Sequence, residues 1–163
     1  MVKVTIGITT YNLEKYIAKA LDSILMQKTN FDFKILVVDD ASLDKTPKIL
    51  QDYKQKYPDK IDLILKEKNG GSLESSNILF NQIKTEYFSF LDGDDYWLDE
   101  NRLQKQVDFL DSHPDYTMVG GNTVFLRNGK KQDKVISNEY LGKTFDWQDK
   151  KQDKCPFVHT SSI

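Results

Sequence analysis

A single cysteine, Cys155, is all the thiol chemistry the 163-residue sequence offers. One cysteine cannot close an internal disulfide, and no metal-ligand spacing surrounds it, so a reducing cytoplasmic setting is expected. Long hydrophobic runs are missing too. None approaches the roughly 20 apolar residues of a membrane-crossing helix. The apolar start, residues 2–9, is too short for a signal-peptide core plus cleavage site. Nor is there an excess of one charge: the net charge is -2, so no global field points to nucleic acid. The sequence carries no internal repeat and no low-complexity segment. What remains is an ordinary soluble balance, 39% hydrophobic and 29% charged, on a chain long enough for one domain with a sizeable core.

The most informative stretch is Phe88-Ser89-Phe90-Leu91-Asp92-Gly93-Asp94-Asp95-Tyr96-Trp97. Phe88 to Leu91 reads as a buried strand. It ends in three carboxylates within four positions, which repel one another and are costly to desolvate. Two readings account for that: a solvated acidic turn, or a site for a hard divalent cation. Mg²⁺ uses one or two carboxylates plus substrate phosphates, and oxygen ligands suit Mn²⁺ equally. The Asp92-x-Asp94 spacing lets two carboxylates at a strand end converge, and Gly93 permits a tight backbone path.

Along the chain, β-branched residues make residues 2–9 a strand. Apolar residues at helical period follow from Leu13 to Gln27. Residues 33–38 form a second strand ending at Asp39-Asp40. Ser42 and Asp44 are N-cap types for a helix over 45–56. Residues 61–65 are a third strand, Asn69-Gly70-Gly71 a loop, and 72–84 a helix. Beyond the carboxylate cluster come a helix around Leu103 to Leu110, a strand over 116–126 broken at Gly120-Gly121, and a hairpin turn at Asn128-Gly129-Lys130-Lys131. Alternating strands and helices imply parallel βαβ units, hence an α/β sandwich with helices on both faces. Ligands in open α/β sheets bind outside the carboxyl ends of the strands. Thr9-Thr10-Tyr11-Asn12, Asp39-Asp40, Lys66 to Asn69 and Asp92 to Asp95 all fall there, so carboxylates, a phenol, amides and lysines share one edge.

Those residues resemble the family 2 glycosyltransferases. Ile8-Thr9-Thr10-Tyr11-Asn12 is similar to the family's opening (V/I)-x-T-Y-N, and Val37 to Thr46 to V-D-D-G-S-x-D-x-T. Asn69-Gly70-Gly71 through Asn77 to Glu86-Tyr87 resembles N-x-G-x-S-x-A-R-N-x-G followed by G-E-Y. Phe90 to Asp95 resembles F-L-D-x-D-D. The four motifs, in family order, cover residues 2 to about 112. Departures are Ser76 for the usual arginine, Leu79 and Thr85 for glycines, and Ala41 for a glycine, a mild change. Lys66 or Lys68 is then a candidate substitute for the missing arginine beside the pyrophosphate; solvated lysines after a strand are the competing reading.

The resemblance implies a GT-A, Rossmann-like α/β/α sandwich with a mostly parallel sheet. It divides the chain into a nucleotide-sugar-binding half, 1–112, and the start of an acceptor-side half, 113–163. It implies inverting transfer of a sugar from a nucleotide-sugar, most often UDP-linked, to a carbohydrate or lipid-linked acceptor in bacterial-type surface glycan synthesis, with Mn²⁺ or Mg²⁺. Thr9 and Tyr11 would line the nucleotide pocket beside Asn12. Asp39 would accept a base N–H, with Asp40 flanking it, and Lys68 and Asn69, in the loop after the third strand, would bind the nucleotide-sugar. Asp92 would sit near ribose or sugar, Asp94 on the metal, and Asp95 would share the metal or orient its loop. For Asp39 and Asp40, N-capping of the next helix competes with these roles.

The family's base, a carboxylate well beyond the Asp-x-Asp motif, has no counterpart here. Asp146, Asp149 and Asp153 read as solvated loop and His159 as a strand residue, so the base is expected beyond Ile163, in a longer protein. The lysines from Lys130 to Lys154 form a solvated face or touch an anionic membrane at its cytoplasmic side. A nucleotidyltransferase would carry a glycine-rich loop where this sequence has Thr-Thr-Tyr-Asn. A non-catalytic nucleotide-sugar binding fragment is the other alternative.

Overall fold

A computed structural model describes residues 1–127, 130–135 and 143. Strands β1 (Val2–Thr10), β2 (Asp32–Asp39), β3 (Ile61–Leu65) and β4 (Tyr87–Phe90) alternate with helices α1 (Ile17–Leu25), α2 (Thr46–Lys56) and α3 (Ser72–Gln82). Helix α4 (Arg102–Ser112) and two antiparallel strands, β5 (Val124–Arg127) and β6 (Lys130–Val135), follow. The first four strands form one parallel sheet in the order β3-β2-β1-β4. Parallel neighbours need crossovers rather than hairpins, and the intervening helices supply them.

The helices cover both faces, giving the expected α/β/α sandwich. On one face Ile17, Leu21 and Ile24 of α1, Leu50 of α2 and Leu103 and Val107 of α4 pack on Ile6, Ile8, Ile35 and Val37. On the other, Leu79 of α3 packs on Leu36 and Val38. Each such buried aliphatic side chain contributes about 1.5–3 kcal/mol, so the first face anchors the sheet. Leu79 fits where the family pattern has glycine because its δ-methyls rest on Gly7 of β1, where a Cβ would collide with them.

Several expectations change. The first helix starts at Ile17 rather than Leu13, because backbone groups of the preceding loop bind another loop. The strand expected over 116–126 is reduced to β5; before it only an isolated bridge occurs at Gly120. Phe88 is 45% exposed, not buried. It lies on β4, an edge strand of the sheet among the described residues, where it meets Phe80 and Phe90 at ring-centroid distances of 5.9 and 5.6 Å. Aromatic content alone does not distinguish an edge strand from a central one. The Asn128-Gly129 turn, Asp146, Asp149, Asp153, Cys155 and His159 lie outside the described residues.

Ala41 is more than a mild replacement of glycine. Its φ is 60°, in the left-handed region, where a Cβ costs about 1–2 kcal/mol. Ala41→Gly is therefore expected to stabilise the protein by about 1 kcal/mol after the extra entropy of an unfolded glycine is offset. The urea midpoint should rise with an unchanged m-value; an unchanged or lower midpoint would show the backbone there to be relaxed.

Candidate active site

Because the strands are parallel, Thr10, Asp39, Leu65 and Phe90 all end on one edge of the sheet. The order β3-β2-β1-β4 reverses direction between β1 and β4, and ligand crevices form at such a switch point. The loop after β1 and the Asp92–Asp95 turn after β4 flank that point.

The loop after β1 is bound to the loop after β2 by reciprocal hydrogen bonds. Backbone N–H groups of Asn12, Leu13 and Glu14 donate to Ser42 Oγ (2.9 Å), Thr46 Oγ1 (2.8 Å) and Asp44 Oδ2 (3.0 Å). In return, Leu43 N–H donates to Asn12 Oδ1 at 2.8 Å and Lys45 N–H to Glu14 Oε2 at 3.0 Å. Asn12 has φ 56°, a conformation asparagine tolerates. Ser42 is thus not the cap of α2. Its hydroxyl donates to Asp39 Oδ1 at 2.6 Å and its N–H to Asp39 Oδ2 at 2.9 Å. Asp44 does serve the start of α2, accepting from Thr46 N–H at 2.8 Å.

Asp40 is the most heavily bonded carboxylate of the edge. Its Oδ1 accepts from Lys66 Nζ at 2.5 Å and Gly70 N–H at 3.0 Å, and its Oδ2 from Gly71 N–H at 2.8 Å. Its backbone carbonyl accepts from Asn69 Nδ2 at 3.1 Å, and its N–H donates to the Thr10 carbonyl at 2.9 Å. The side chains of Asp40 and Lys66 are only 6% and 8% exposed. Lys66 also pairs with Glu74 at 2.9 Å. Burial alone would raise the Asp40 carboxyl, but the Gly70 N–H, Lys66 and the Gly71 N–H outweigh it and hold the group down at about 2. The hydrogen bonds to Asp40 and Glu74 in turn push the Lys66 ammonium up. The bonds of the Asp40 carboxylate go to Gly70 and Gly71 N–H, just ahead of α3, and not to the start of α2 where N-capping was considered; α3 has Gly71 at φ 85° as its N-cap, and a negative charge there favours the helix dipole. Lys66 is committed to this clamp. Of the two lysines considered for the missing arginine, the exposed Lys68 is the one left facing solvent.

The Asp92–Asp95 turn is closed by Asp95 N–H donating to the Asp92 carbonyl at 2.9 Å. Gly93 does not adopt a positive φ. It is buried against the β1 loop instead: a Cβ there would lie 2.8 Å from Leu13 Cδ1 and 3.5 Å from Thr10 Cβ. This close approach holds the turn to the loop carrying Thr9 and Tyr11, and leaves Asp92, Asp94 and Asp95 exposed at its rim. Among the described residues no three His, Cys, Asp or Glu side chains form a metal cage by themselves. Exposed carboxylates with room for further ligands fit a hard cation that completes its shell from phosphates and water.

The structure thus gathers all ten candidates on one edge, in different states. Tyr11 is 44% exposed and Thr9 half-buried. Asp39 forms the floor at 1% exposure, with both oxygens on Ser42. Asn12, Asp40 and Asn69 shape the loops. Ser42, Thr46 and Lys66 were undervalued by sequence reasoning, although all three lay beside or within the quoted motifs. Nothing local marked Arg102, whose guanidinium lies 4.5 Å over the Trp97 ring and whose Nη2 is buried without a hydrogen-bond partner.

Comparison with known proteins agrees with this layout. The profile of the family described as Glycosyl transferase family 2 matches residues 5–162. An uncharacterized protein of Mycobacterium tuberculosis is 39% identical over 109 residues, 67% of this chain and 32% of that protein. The crystal structure of Staphylococcus aureus TarS in complex with UDP-GlcNAc superposes with a TM-score of 0.60 at 34% identity, covering 69% of this chain and 32% of that one. TarS is a poly(ribitol-phosphate) β-N-acetylglucosaminyltransferase. A mannosyltransferase from Pyrobaculum calidifontis, in complex with GDP-Man and Mn²⁺, gives a TM-score of 0.65 at 26% identity over 72% of this chain and 34% of its own. The chain spans about a third of the length of the first curated relatives it matches.

Proposed function

This chain belongs to glycosyl transferase family 2, and from that premise we propose that it binds a UDP-linked sugar and serves its transfer, with inversion, to an acceptor hydroxyl of a surface glycan or a lipid-linked precursor. The observation that carries the proposal is the Asp92–Asp95 turn seated against the Thr9–Asn12 loop at the switch point of a parallel sheet. The UDP-GlcNAc complex of TarS supports the choice of nucleotide, and the GDP-Man and Mn²⁺ complex of the mannosyltransferase supports the metal. TarS, named for a polyol-phosphate acceptor, supports the assignment to cell-surface polymer synthesis.

In this reading Tyr11 flanks the base and Asp39 accepts its N–H. Thr9 lines the pocket, and Lys68 approaches the diphosphate from the loop after β3. Asp94, with Asp92 and Asp95 beside it, would hold the divalent cation, which when bound would supply positive charge to the leaving diphosphate. The acceptor hydroxyl oxygen bonds to the anomeric carbon from the face opposite the diphosphate as the bond from that carbon to the diphosphate breaks, and its proton passes to a carboxylate general base, so one displacement inverts that centre. The Asp40–Lys66 clamp fixes the β3–α3 loop as one wall of the pocket.

The test is a donor panel. Release of UDP and of GDP is measured from UDP-GlcNAc, UDP-Glc and GDP-Man, with Mn²⁺ and acceptor extract, by the longest form of the protein. Turnover of UDP-sugars above GDP-Man is expected. Turnover of GDP-Man alone would reassign the nucleotide, and turnover of none would contradict transfer.

A further inference from the structure

A concavity adjoins the carboxylate turn. It has a volume of about 820 Å³ and runs from Asp94 and Asp95 to Trp97, Arg102, Lys19 and the segment leading into β5. None of Thr9, Tyr11 or Asp39 lines it, whereas Asp94 and Asp95 do, so it adjoins the proposed metal site and not the proposed base-binding residues. Its volume is within the range of small-molecule sites, and its aromatic walls with a few polar groups have their usual character.

Arg102 is the unusual member. Its guanidinium lies 4.5 Å over the Trp97 ring, and Trp97 is itself buried. Its Nε donates to Gln106 Oε1 at 3.1 Å, while Nη2, closed off from solvent, has no acceptor. No described carboxylate forms an ion pair with it. The nearby Asp99 spends its oxygens on Lys105 Nζ at 2.7 Å and Asn101 N–H at 2.9 Å. A buried donor without an acceptor costs about 1–3 kcal/mol and calls for an explanation. Arginine's planar fork suits phosphate and carboxylate oxygens. A second cation lines the same cavity: Lys19 Nζ lies 3.5 Å from the Tyr96 ring centroid. Asp94, Asp95 and Asp99 also line the cavity and would repel an anion, so anchoring falls to Arg102 and Lys19.

We infer that this cavity is a subsite for an anionic group of the acceptor, a phosphodiester or carboxylate, anchored by Arg102 with Lys19 assisting. Identifying the occupant as the acceptor rests on the glycosyl-transfer reading; the anion site itself does not.

The experiment titrates three oligomers of equal length into the protein by calorimetry: a poly(glycerol phosphate), an oligogalacturonate and an uncharged maltooligosaccharide. Wild type, Arg102→Gln and Lys19→Gln are compared, with UDP binding in Mn²⁺ as the control. At least one charged oligomer should bind, the uncharged one should not, and the charged one that binds tells phosphate from carboxylate. Affinity should fall about tenfold in Arg102→Gln and about threefold in Lys19→Gln, with UDP binding unchanged in both. Lys19 is exposed on α1, so its variant tests the site even if Arg102→Gln does not fold. No preference for a charged oligomer, or wild-type affinity in the folded variants, would overturn the site. Arg102-dependent anion binding in a protein that ignores UDP would keep the site and sink the transfer reading.

Discussion

Asp40→Asn should destabilise the protein by about 3–5 kcal/mol, the cost of breaking a buried charge pair from one side. That is a large part of the roughly 5–15 kcal/mol available to a domain. The amide cannot accept from Lys66, Gly70 and Gly71 together, and one of its faces presents N–H groups to backbone N–H groups. Lys66, 8% exposed, then keeps only Glu74 as its anionic partner. Removing both charges, Asp40→Asn with Lys66→Met, should cost less than Asp40→Asn alone, a coupling that separates ion pairing from lost packing. The pH dependence has a definite sign. The Asp40 carboxyl is held at about 2, below its usual 3.8, so its contribution is complete above about pH 4 and disappears as pH falls towards 2. That contribution is about 2 kcal/mol. Urea unfolding at pH 6 and pH 3 should show a steeper loss for wild type than for Asp40→Asn. A variant within 1 kcal/mol of wild type, with the same acid slope, would contradict the clamp.

Asp94→Asn should lower sugar transfer by at least about 100-fold, the scale of removing one preorganised electrostatic contact to a developing charge. The side chain is exposed at a rim and supports no packing, so the melting temperature should stay within about 2 °C, as for other surface substitutions. The comparison Asp92→Asn should cost less, because the reading gives Asp94 the principal metal contact. Raising Mn²⁺ should recover part of the lost rate in both. A loss of activity accompanied by unfolding would instead make Asp94 structural. Full activity would remove Asp94 from the metal site.

The fold was legible because β-branched runs such as Val2 to Ile8 and the helical spacing of Ile17, Leu21 and Ile24 each have one good solution. The common edge was legible because parallel strands all end on one side. What escaped was the bonding of that edge to itself. Ser42 and Asp44 look like caps of the helix they precede, yet they and Thr46, the first residue of that helix, receive N–H groups from a loop some 30 residues earlier. Asp40 finds its partners 26 to 31 residues later, a separation no local pattern encodes. Gly93 is required by Leu13 rather than by its own φ. The edge position of β4 was hidden because Phe88 and Phe90 are as apolar on an edge as in a centre. Arg102 had no local signal, since its meaning comes from Trp97 beneath it and the cavity beside it.

The central claim is that the carboxyl edge of this sheet is a metal-assisted nucleoside diphosphate site. Calorimetric titration of UDP into the wild-type chain, with Mn²⁺ and after its removal by chelator, tests it most directly. Binding in Mn²⁺ that weakens at least about tenfold, or 1.4 kcal/mol, on chelation is the predicted result. UDP binding of equal strength with and without the metal, or no binding in either condition, would contradict it.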